Sequence, residues 1–235
     1  YLPMGRRRPW LIMGQFGILC SLIALSFVPN PLENLVLITT LALCVHVFIL
    51  FQDIATDSLV IDIVPLEEQG KANSLMWGSK TIGTSISLFL GSWLINEKGF
   101  STAVLCMSIS IVIILFVPLF LRERRGEKLL PWTKGETSPD AVLLLVDSWG
   151  KLFKSFKQVL VLRNTLLLVV TVFITMGALH YMRTLLPIFT IKELGWTNIY
   201  YSKIFSSSSL VGGILGMLIG VVVIHRFGII RLIQG

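Results

Sequence analysis

The sequence predicts an all-α integral membrane protein, and three observations support this prediction. First, 54% of the 235 residues are hydrophobic and only 14% are charged, with a mean hydropathy of +0.81. Second, the chain contains six apolar segments, each long enough to supply the about 20 residues that a helix needs to cross a bilayer core. Third, the lysines and arginines fall almost entirely in alternate loops. This composition excludes an ordinary soluble domain.

The six predicted spans are separated by more polar connections. The second is the longest, so its charged end is expected to extend beyond the hydrocarbon. The fourth and the sixth are the most purely apolar. The predicted spans are residues 11–28, 35–64, 74–95, 102–121, 165–191 and 202–224.

The basic residues predict the orientation of the chain across the membrane. Of the 20 lysines and arginines, fifteen fall in one set of loops. The opposite loops hold only Lys98 and Lys192, while Lys80, Arg183 and Lys203 lie within or at the edge of spans. Short cytoplasmic loops retain positive charge, so the fifteen are predicted to be cytoplasmic. The net charge of +7 therefore reflects topology, and nucleic acid is not expected as a partner.

The longest loop, residues 122–164, divides the sequence into a four-span part, 1–121, and a two-span part, 165–235. After residue 140 the loop becomes amphipathic, with Ser138 as the expected N-cap and Pro139 at the first helical position. This pattern predicts a helix that lies on the cytoplasmic membrane surface. Its apolar stripe is Leu144, Leu145, Trp149, Leu152, Phe153, Phe156 and Val159, flanked by Lys151, Lys154 and Lys157.

Asp53 and Asp57 are the most informative residues, because both lie in the lower half of a predicted span. A carboxylate at mid-membrane depth costs roughly 2.5–3.5 kcal/mol on insertion scales, so such residues usually face a bundle interior or a water-filled path. On a helix the two lie about 40° apart, and His46 falls within about 20° of Asp53. We predict that these three groups couple protons or line the substrate path. The alternatives are that the aspartates are structural and that His46 is a polar packing residue.

Three further polar residues lie inside predicted spans. Lys80 enters the third span from the same side as Asp57, and it is the best candidate for an ion-pair partner; the alternative is that it snorkels to the headgroups. His180 and Arg183 lie three residues apart, on one face of the fifth span. Because arginine keeps its charge under all conditions, Arg183 is a candidate for binding a substrate carboxylate or phosphate, and an interhelical ion pair is the alternative.

Small residues mark a packing face on the sixth span. Gly212, Gly216 and Gly220 recur every fourth residue, which lets a neighbouring helix approach closely. The three cysteines all lie in apolar spans and lack the spacing of metal ligands. Neither a disulfide framework, nor a metal site, nor a cofactor is predicted.

Two loops resemble the signature of the major facilitator superfamily. Gly5, Arg6, Arg7 and Arg8 resemble the end of the family's signature loop between helices 2 and 3. Residues 226–231 resemble its degenerate repeat between helices 8 and 9, in which His225 and Val221 replace the usual acid and glycine. The long basic loop corresponds to the central linker between the two halves of that fold. The resemblance implies that the chain supplies helices 3 to 8 of a twelve-helix transporter.

Within this superfamily the chain most resembles the AmpG-type muropeptide permeases and the related acetyl-coenzyme A transporters. The resemblance is carried by residues 52–57, with Gln52, Asp53 and Asp57, and by residues 65–70, in which Gln69 replaces the usual arginine. It implies a monomeric transporter that moves a muropeptide or similar sugar-peptide with protons, with Gln52 in the substrate site, in a bacterial inner membrane. Acetyl-coenzyme A or a drug-like solute is the alternative substrate.

The resemblance also implies a set of cytoplasmic ion pairs that locks conformational states. Exposed pairs contribute about 0–1 kcal/mol each, so several would have to act together. The implied members are Gly5, Arg6, Arg7, Arg8, Glu67, Glu68, Arg226 and Arg231.

A function of another class is possible, because Asp53 and Asp57 also resemble the aspartate-rich motif with which intramembrane prenyltransferases bind magnesium diphosphates. Such enzymes need a second acidic cluster, and no other predicted span carries one. A sensor built on the same scaffold is a further alternative. The sequence favours a transporter over both.

Overall fold

The computed structural model describes residues 4–124, 126–136 and 148–227, except for the side chains of residues 149 and 224–227. Seven helices occur within these ranges, and no strand does. Helix α5 corresponds to the predicted interfacial helix, and the other six correspond to the predicted spans. The helices are α1 (Arg8–Ser26), α2 (Leu35–Ile63), α3 (Leu66–Lys98), α4 (Phe100–Phe120), α5 (Trp149–Val161), α6 (Arg163–Lys192) and α7 (Asn198–Phe227).

Five of these helices, α1, α2, α4, α6 and α7, are long and apolar enough to cross a membrane. Helix α3 is the longest at 33 residues, but its sequence is rich in serine, threonine and glycine and includes Lys80. The helix begins at Leu66, eight residues before the start of the predicted span at residue 74. Pro65 adopts an extended conformation and starts the helix, and Glu67 and Glu68 occupy its first turn, where carboxylates complement the helix dipole.

A single glycine separates α3 from α4. Gly99 has φ +85° and ψ 170°, a combination that is essentially restricted to glycine, and it ends one helix and begins the next. The chain therefore reverses between the two helices without a longer loop.

Helix α5 begins at Trp149, within the segment that was predicted to form the interfacial helix. Ser148 is its N-cap, and the Ser148 Oγ accepts a hydrogen bond from the Gly150 N–H at 3.2 Å. The predicted cap at Ser138 and Pro139, and the apolar residues Leu144 and Leu145, lie outside the described residues.

The chain divides into two compact units. The first comprises Tyr1–Ser138 and Ser202–Gly235, and the second is Pro139–Tyr201. The grouping of the last two spans into the start of a second helical bundle remains a prediction.

In the first unit α1 packs against both α2 and α4. Leu25 at the end of α1 and Val28, two residues after that helix, meet Val104 of α4 in a small buried core. Further along α1, Gly17 lies directly against the ring of Phe48 on α2. This packing fixes the lower half of α2, which carries the acidic residues.

Candidate functional site

An ion pair joins α2 to α3. The Lys80 Nζ lies 3.0 Å from the Asp53 Oδ2, and the two side chains are 47% and 37% exposed. The same ammonium lies 5.6 Å from the centroid of the Trp77 ring, one turn earlier on α3. Asp53 is ten residues from the end of α2, about 15 Å along its axis. The pair is therefore well inside the α2–α3 hairpin.

Asp57 lies one turn below Asp53 and borders a cavity of about 390 Å³ between α2 and α3. Within the described part of the chain, no ion pair includes Asp57. The two aspartates therefore differ in surroundings, since one faces a cation and the other faces open space. The cavity is lined by Asp57, Val60, Ile61, Gln69, Gly70, Asn73 and Met76.

A second cavity, of about 460 Å³, lies between α3 and α7 within the first unit. Its walls combine an indole ring with small hydroxyl and amide side chains, and they carry no charge. Asn73 borders both cavities. The lining residues are Asn73, Ser74, Trp77, Gly78, Thr81, Ser209, Gly212, Gly213, Gly216 and Met217.

The glycine face of α7 meets α3 at two points. A Cβ at Gly213 would lie 3.0 Å from the Thr81 side chain, and one at Gly220 would lie 3.1 Å from the Ser74 Oγ. Gly212 and Gly216 instead border the cavity, and a Cβ added to either would meet no atom within 4 Å. Only part of the predicted packing face is therefore in close contact.

His46 makes a contact within its own helix, and Gln52 packs against α1. The His46 Nδ1 lies 2.8 Å from the Ala42 carbonyl oxygen, which can only accept, so Nδ1 carries the proton. Gln52 lies against α1, where a Cβ on Gly14 would be 3.1 Å from the Gln52 backbone nitrogen. The structure does not bring His46 into contact with either aspartate.

His180 and Arg183 lie on α6, in the second unit. Both side chains are exposed, and the Thr184 hydroxyl donates to the His180 carbonyl at 3.0 Å. No ion pair of the described residues includes Arg183. Their predicted substrate roles remain proposals.

The arginines at the start of the chain pair with Asp62. The Arg7 Nε donates to the Asp62 Oδ2 at 3.1 Å, and the Arg6 Nη1 lies 3.7 Å from the same oxygen. Sequence reasoning expected Glu67 and Glu68 to meet these arginines, but both glutamates are exposed in the first turn of α3. Asp62, in the last turn of α2, is the carboxylate that meets the arginines.

Arg8 is buried, with 2% of its surface exposed. Its guanidinium donates to the carbonyls of Pro118 and Leu119, which have no partner within α4 because that helix ends at Phe120. It also donates to the Lys128 and Leu129 carbonyls of the following loop. A cation at this position complements the negative end of the α4 dipole. Arg8 thus caps α4 and holds the loop against α1.

Two glutamates of this loop, which sequence reasoning missed, complete the cluster. The Glu123 Oε2 accepts from the backbone N–H groups of Arg7 at 2.8 Å and of Arg8 at 3.1 Å. Glu127 is 1% exposed, and its Oε2 accepts from the Arg124 N–H at 3.1 Å. Burial, and secondarily the charge of Glu123, raise the pKa of Glu127 above its ordinary value. The only sequence signal was that these two acids lie among the basic residues of the segment 122–128.

Gly5 makes the close approach of these glutamates possible. Its φ is +102°, and a Cβ there would lie 2.5 Å from the Glu123 Oε2. Both the backbone conformation and the lack of space exclude a side chain. Of the other predicted lock residues, the Arg226 side chain and all of Arg231 lie outside the described part of the structure.

The arrangement offers no metal centre in the described part of the chain, where no three His, Cys, Asp or Glu side chains are grouped to hold an ion. Asp53 pairs with the ammonium of Lys80, whereas a carboxylate that binds magnesium would face the metal ion. The aspartate-rich enzyme motif remains a hypothesis from the sequence.

The long apolar helices in the described part of the chain, one of which is joined to α3 by a charged pair, define a multi-pass α-helical membrane protein. Comparison with known families makes the assignment more specific. The family model described as the Major Facilitator Superfamily matches residues 3–234, so the chain belongs to that superfamily of secondary transporters.

The chain is also similar to a protein of Haemophilus influenzae that is described as uncharacterized. The two are 31% identical over 123 residues, which is 50% of this chain and 29% of that protein. The chain therefore matches less than a third of the length of this relative. No solved structure matched the chain.

Proposed function

We propose that the protein is a proton-coupled transporter, in which the Asp53–Lys80 pair couples proton movement to alternating access. The observation that carries this proposal is the 3.0 Å contact between two half-exposed charges on different helices. A pair with this exposure contributes on the order of 1 kcal/mol, so it can open and close at modest cost. Family membership supports the transport class, since alternating access is how secondary transporters work.

Protonation of Asp53 would remove the charge that holds Lys80. The lysine would then be an unpaired cation inside the helix bundle, which is disfavoured by about 2.5–3.5 kcal/mol at mid-membrane depth. The α2–α3 contact would therefore loosen when a proton binds. Asp57, which faces the adjacent cavity, is proposed as the group that passes the proton to Asp53.

The cluster at the start of α1 is proposed to act as the conformational lock. Arg6 and Arg7 are partly exposed and share one carboxylate oxygen of Asp62, so this contact can break. Arg8 is buried and its guanidinium donates to four carbonyl oxygens, so it stays in place. Arg226 and Arg231 are proposed to join the lock from the other half of the fold.

A muropeptide or similar sugar-peptide is the proposed substrate, in line with the AmpG-type resemblance. The α3–α7 cavity offers Trp77 and several neutral hydroxyl and amide groups, which suit a sugar. Gln52 is proposed for a further polar contact. His180 and Arg183 are proposed, from the sequence alone, to bind a substrate carboxylate. We further propose that the protein is a monomer and that it lies in a bacterial inner membrane. The bacterial origin of the similar protein supports this location.

Uptake of labelled anhydro-muropeptide into vesicles that contain the whole protein tests the proposal. A pH gradient should drive uptake by the wild type, and Asp53→Asn and Lys80→Gln should each lower it at least about tenfold, the effect of losing about 1.4 kcal/mol of coupling. The double variant with both substitutions leaves no unpaired charge. It should again let the substrate equilibrate across the membrane, at a rate that does not depend on the pH gradient. Glu97→Gln removes an exposed carboxylate at the end of α3 and is the matched control.

Two outcomes would change the proposal in different ways. Gradient-driven uptake that survives Asp53→Asn removes Asp53 from coupling and leaves the transporter class intact. Failure of the folded wild type to take up this ligand rejects the muropeptide and favours acetyl-coenzyme A or a drug-like solute, which are then tested in the same vesicles.

A further inference from the structure

Helix α5 presents an uncovered apolar face. At 100° per residue, Leu152, Phe153, Phe156, Val159 and Leu160 fall within about 120° of one another on its surface. All five side chains are exposed, and Phe153 and Phe156 are 65% and 61% exposed. Exposed aromatic rings on one helical face indicate a surface that binds something apolar.

All charged residues on the polar side of the same helix are basic. Lys151, Lys154 and Lys157 follow one another at three-residue intervals, about 60° apart around the axis, and all are exposed. No acidic residue occurs between Trp149 and Val161. The helix therefore combines an apolar face with a stripe of positive charge. This combination complements the surface of a membrane whose interior is apolar and whose headgroups are anionic.

The connection to α6 places this helix at the depth of the lipid headgroups. Leu162 is extended, with ψ 127°, and is the only residue between Val161 and Arg163, where the membrane-spanning α6 begins. The 30 residues of α6 rise about 45 Å, which matches the about 40–45 Å of a bilayer with its headgroup layers. Arg163 therefore lies at headgroup level, and the end of α5 lies within a few ångströms of it.

We propose that α5 binds the anionic lipids of the cytoplasmic leaflet. Its phenylalanines enter the boundary between headgroups and acyl chains, and Lys151, Lys154 and Lys157 contact lipid phosphates. A lysine near an anionic membrane surface strengthens binding about fivefold, so three acting together strengthen it on the order of a hundredfold. Attachment to lipid would anchor the long loop that joins the two halves of the transporter.

Hydrogen exchange of residues 149–161 in lipid nanodiscs tests this inference. The whole protein is compared in phosphatidylcholine alone and in an equal mixture with phosphatidylglycerol. We expect exchange to be at least about tenfold slower in the anionic mixture, and added salt should reduce the difference. The variant Lys151→Gln, Lys154→Gln, Lys157→Gln should exchange at the same rate in both lipids.

A second triple variant provides the matched control. Lys98→Gln, Lys134→Gln and Lys192→Gln remove the same charge from exposed lysines elsewhere, and this variant should keep the lipid dependence. Equal exchange of the wild type in both lipids would overturn the proposal, as would a lipid effect that survives in the α5 variant. Slow exchange in every lipid would show that α5 packs on protein instead. Substrate uptake is not part of this readout, so the result is independent of the transport proposal.

Discussion

Arg8 shows how a single side chain can organise a loop. Its planar guanidinium donates to four carbonyls, two at the end of α4 and two in the following loop. Lysine could not reproduce this arrangement, because its ammonium has three donors at one point while arginine has five in a rigid fork. The backbone of Arg7 and Arg8 in turn donates to Glu123. The arginine run therefore contains residues with different roles, although it is uniform in sequence.

Glu127 should make stability depend on pH. Its pKa is raised by burial, so the folded protein holds this proton more tightly than the unfolded chain. The stabilising contribution is present at low pH and is lost as pH rises from the ordinary value of 4.5 through the raised pKa. Glutamine at this position does not ionise, so Glu127→Gln should not lose stability as the pH rises. The melting temperature of the variant minus that of the wild type should therefore be several degrees larger at about pH 8 than at about pH 5.

The control for this measurement is Glu136→Gln, which neutralises an exposed carboxylate of the same loop. Its melting temperature should follow the wild type at both pH values. A difference between Glu127→Gln and wild type that does not change with pH would show that Glu127 titrates as an ordinary carboxyl group.

At the scale of helices, contact between α1 and α2 depends on glycine. A Cβ at Gly17 would lie 2.3 Å from the ring of Phe48, and one at Gly14 would lie 3.1 Å from the Phe48 carbonyl oxygen. These glycines allow the backbones to approach closely, as small residues do between membrane helices. The position of α2 relative to α1 brings Asp62 to Arg6 and Arg7.

Gly17→Ala should destabilise the protein by about 1–3 kcal/mol, the usual cost of forcing extra volume into a packed interface. Gly83→Ala is the matched control, since its Cβ would meet no atom within 4 Å. In that open position alanine should be neutral or stabilise α3 by up to about 1 kcal/mol. Denaturant unfolding in detergent measures both changes.

A companion substitution separates crowding from other effects of Gly17→Ala. Phe48→Leu added to Gly17→Ala should recover part of the lost stability, because a smaller side chain makes room for the methyl group. If Gly17→Ala proves as stable as Gly83→Ala, the α1–α2 contact is looser than the structure shows.

At the scale of the whole molecule, the charge distribution predicts which loops face the cytoplasm. A variant without Cys20, Cys44 and Cys106 provides the background for single cysteines at two exposed positions on opposite predicted sides, Asn96 in the last turn of α3 and Glu136 in the loop after α4. In intact cells a membrane-impermeant maleimide should label Asn96→Cys at least about tenfold more than Glu136→Cys, since only the former lies on the outer side. Permeabilised cells should label both, and the reverse pattern would invert the topology.

The sequence predicted the helices well because each one is specified locally. A membrane helix satisfies its own backbone hydrogen bonds and needs only a long apolar run, which hydropathy detects. The exception is the start of α3, where the mostly polar residues 66–73 lay outside the predicted span 74–95 but belong to the helix. Charged residues end an apolar segment but do not end a helix. Pro65 followed by Glu67 and Glu68 is a favourable helix start.

The candidate site was only partly predictable. Lys80 was predicted as a partner for the aspartates, because α2 and α3 are neighbours in sequence and form a hairpin. Asp62 and Glu123 were missed in their roles, since the hydrogen bonds between the arginine run and its partners join residues 55 to 121 positions apart. Glu127 was missed because its burial depends on how the loop packs around it. No local pattern carries that information.

The sequence by itself determined that this chain crosses a membrane, where its helices lie and which residues carry charge into them. Those properties depend on local hydropathy and on hydrogen bonds within single helices. Only the tertiary structure decided that Asp53 pairs with Lys80 while Asp57 faces a cavity, and that Asp62 rather than Glu67 meets the arginines. Ion pairs depend on the rotation and spacing of packed helices, and that packing joins residues far apart in the chain.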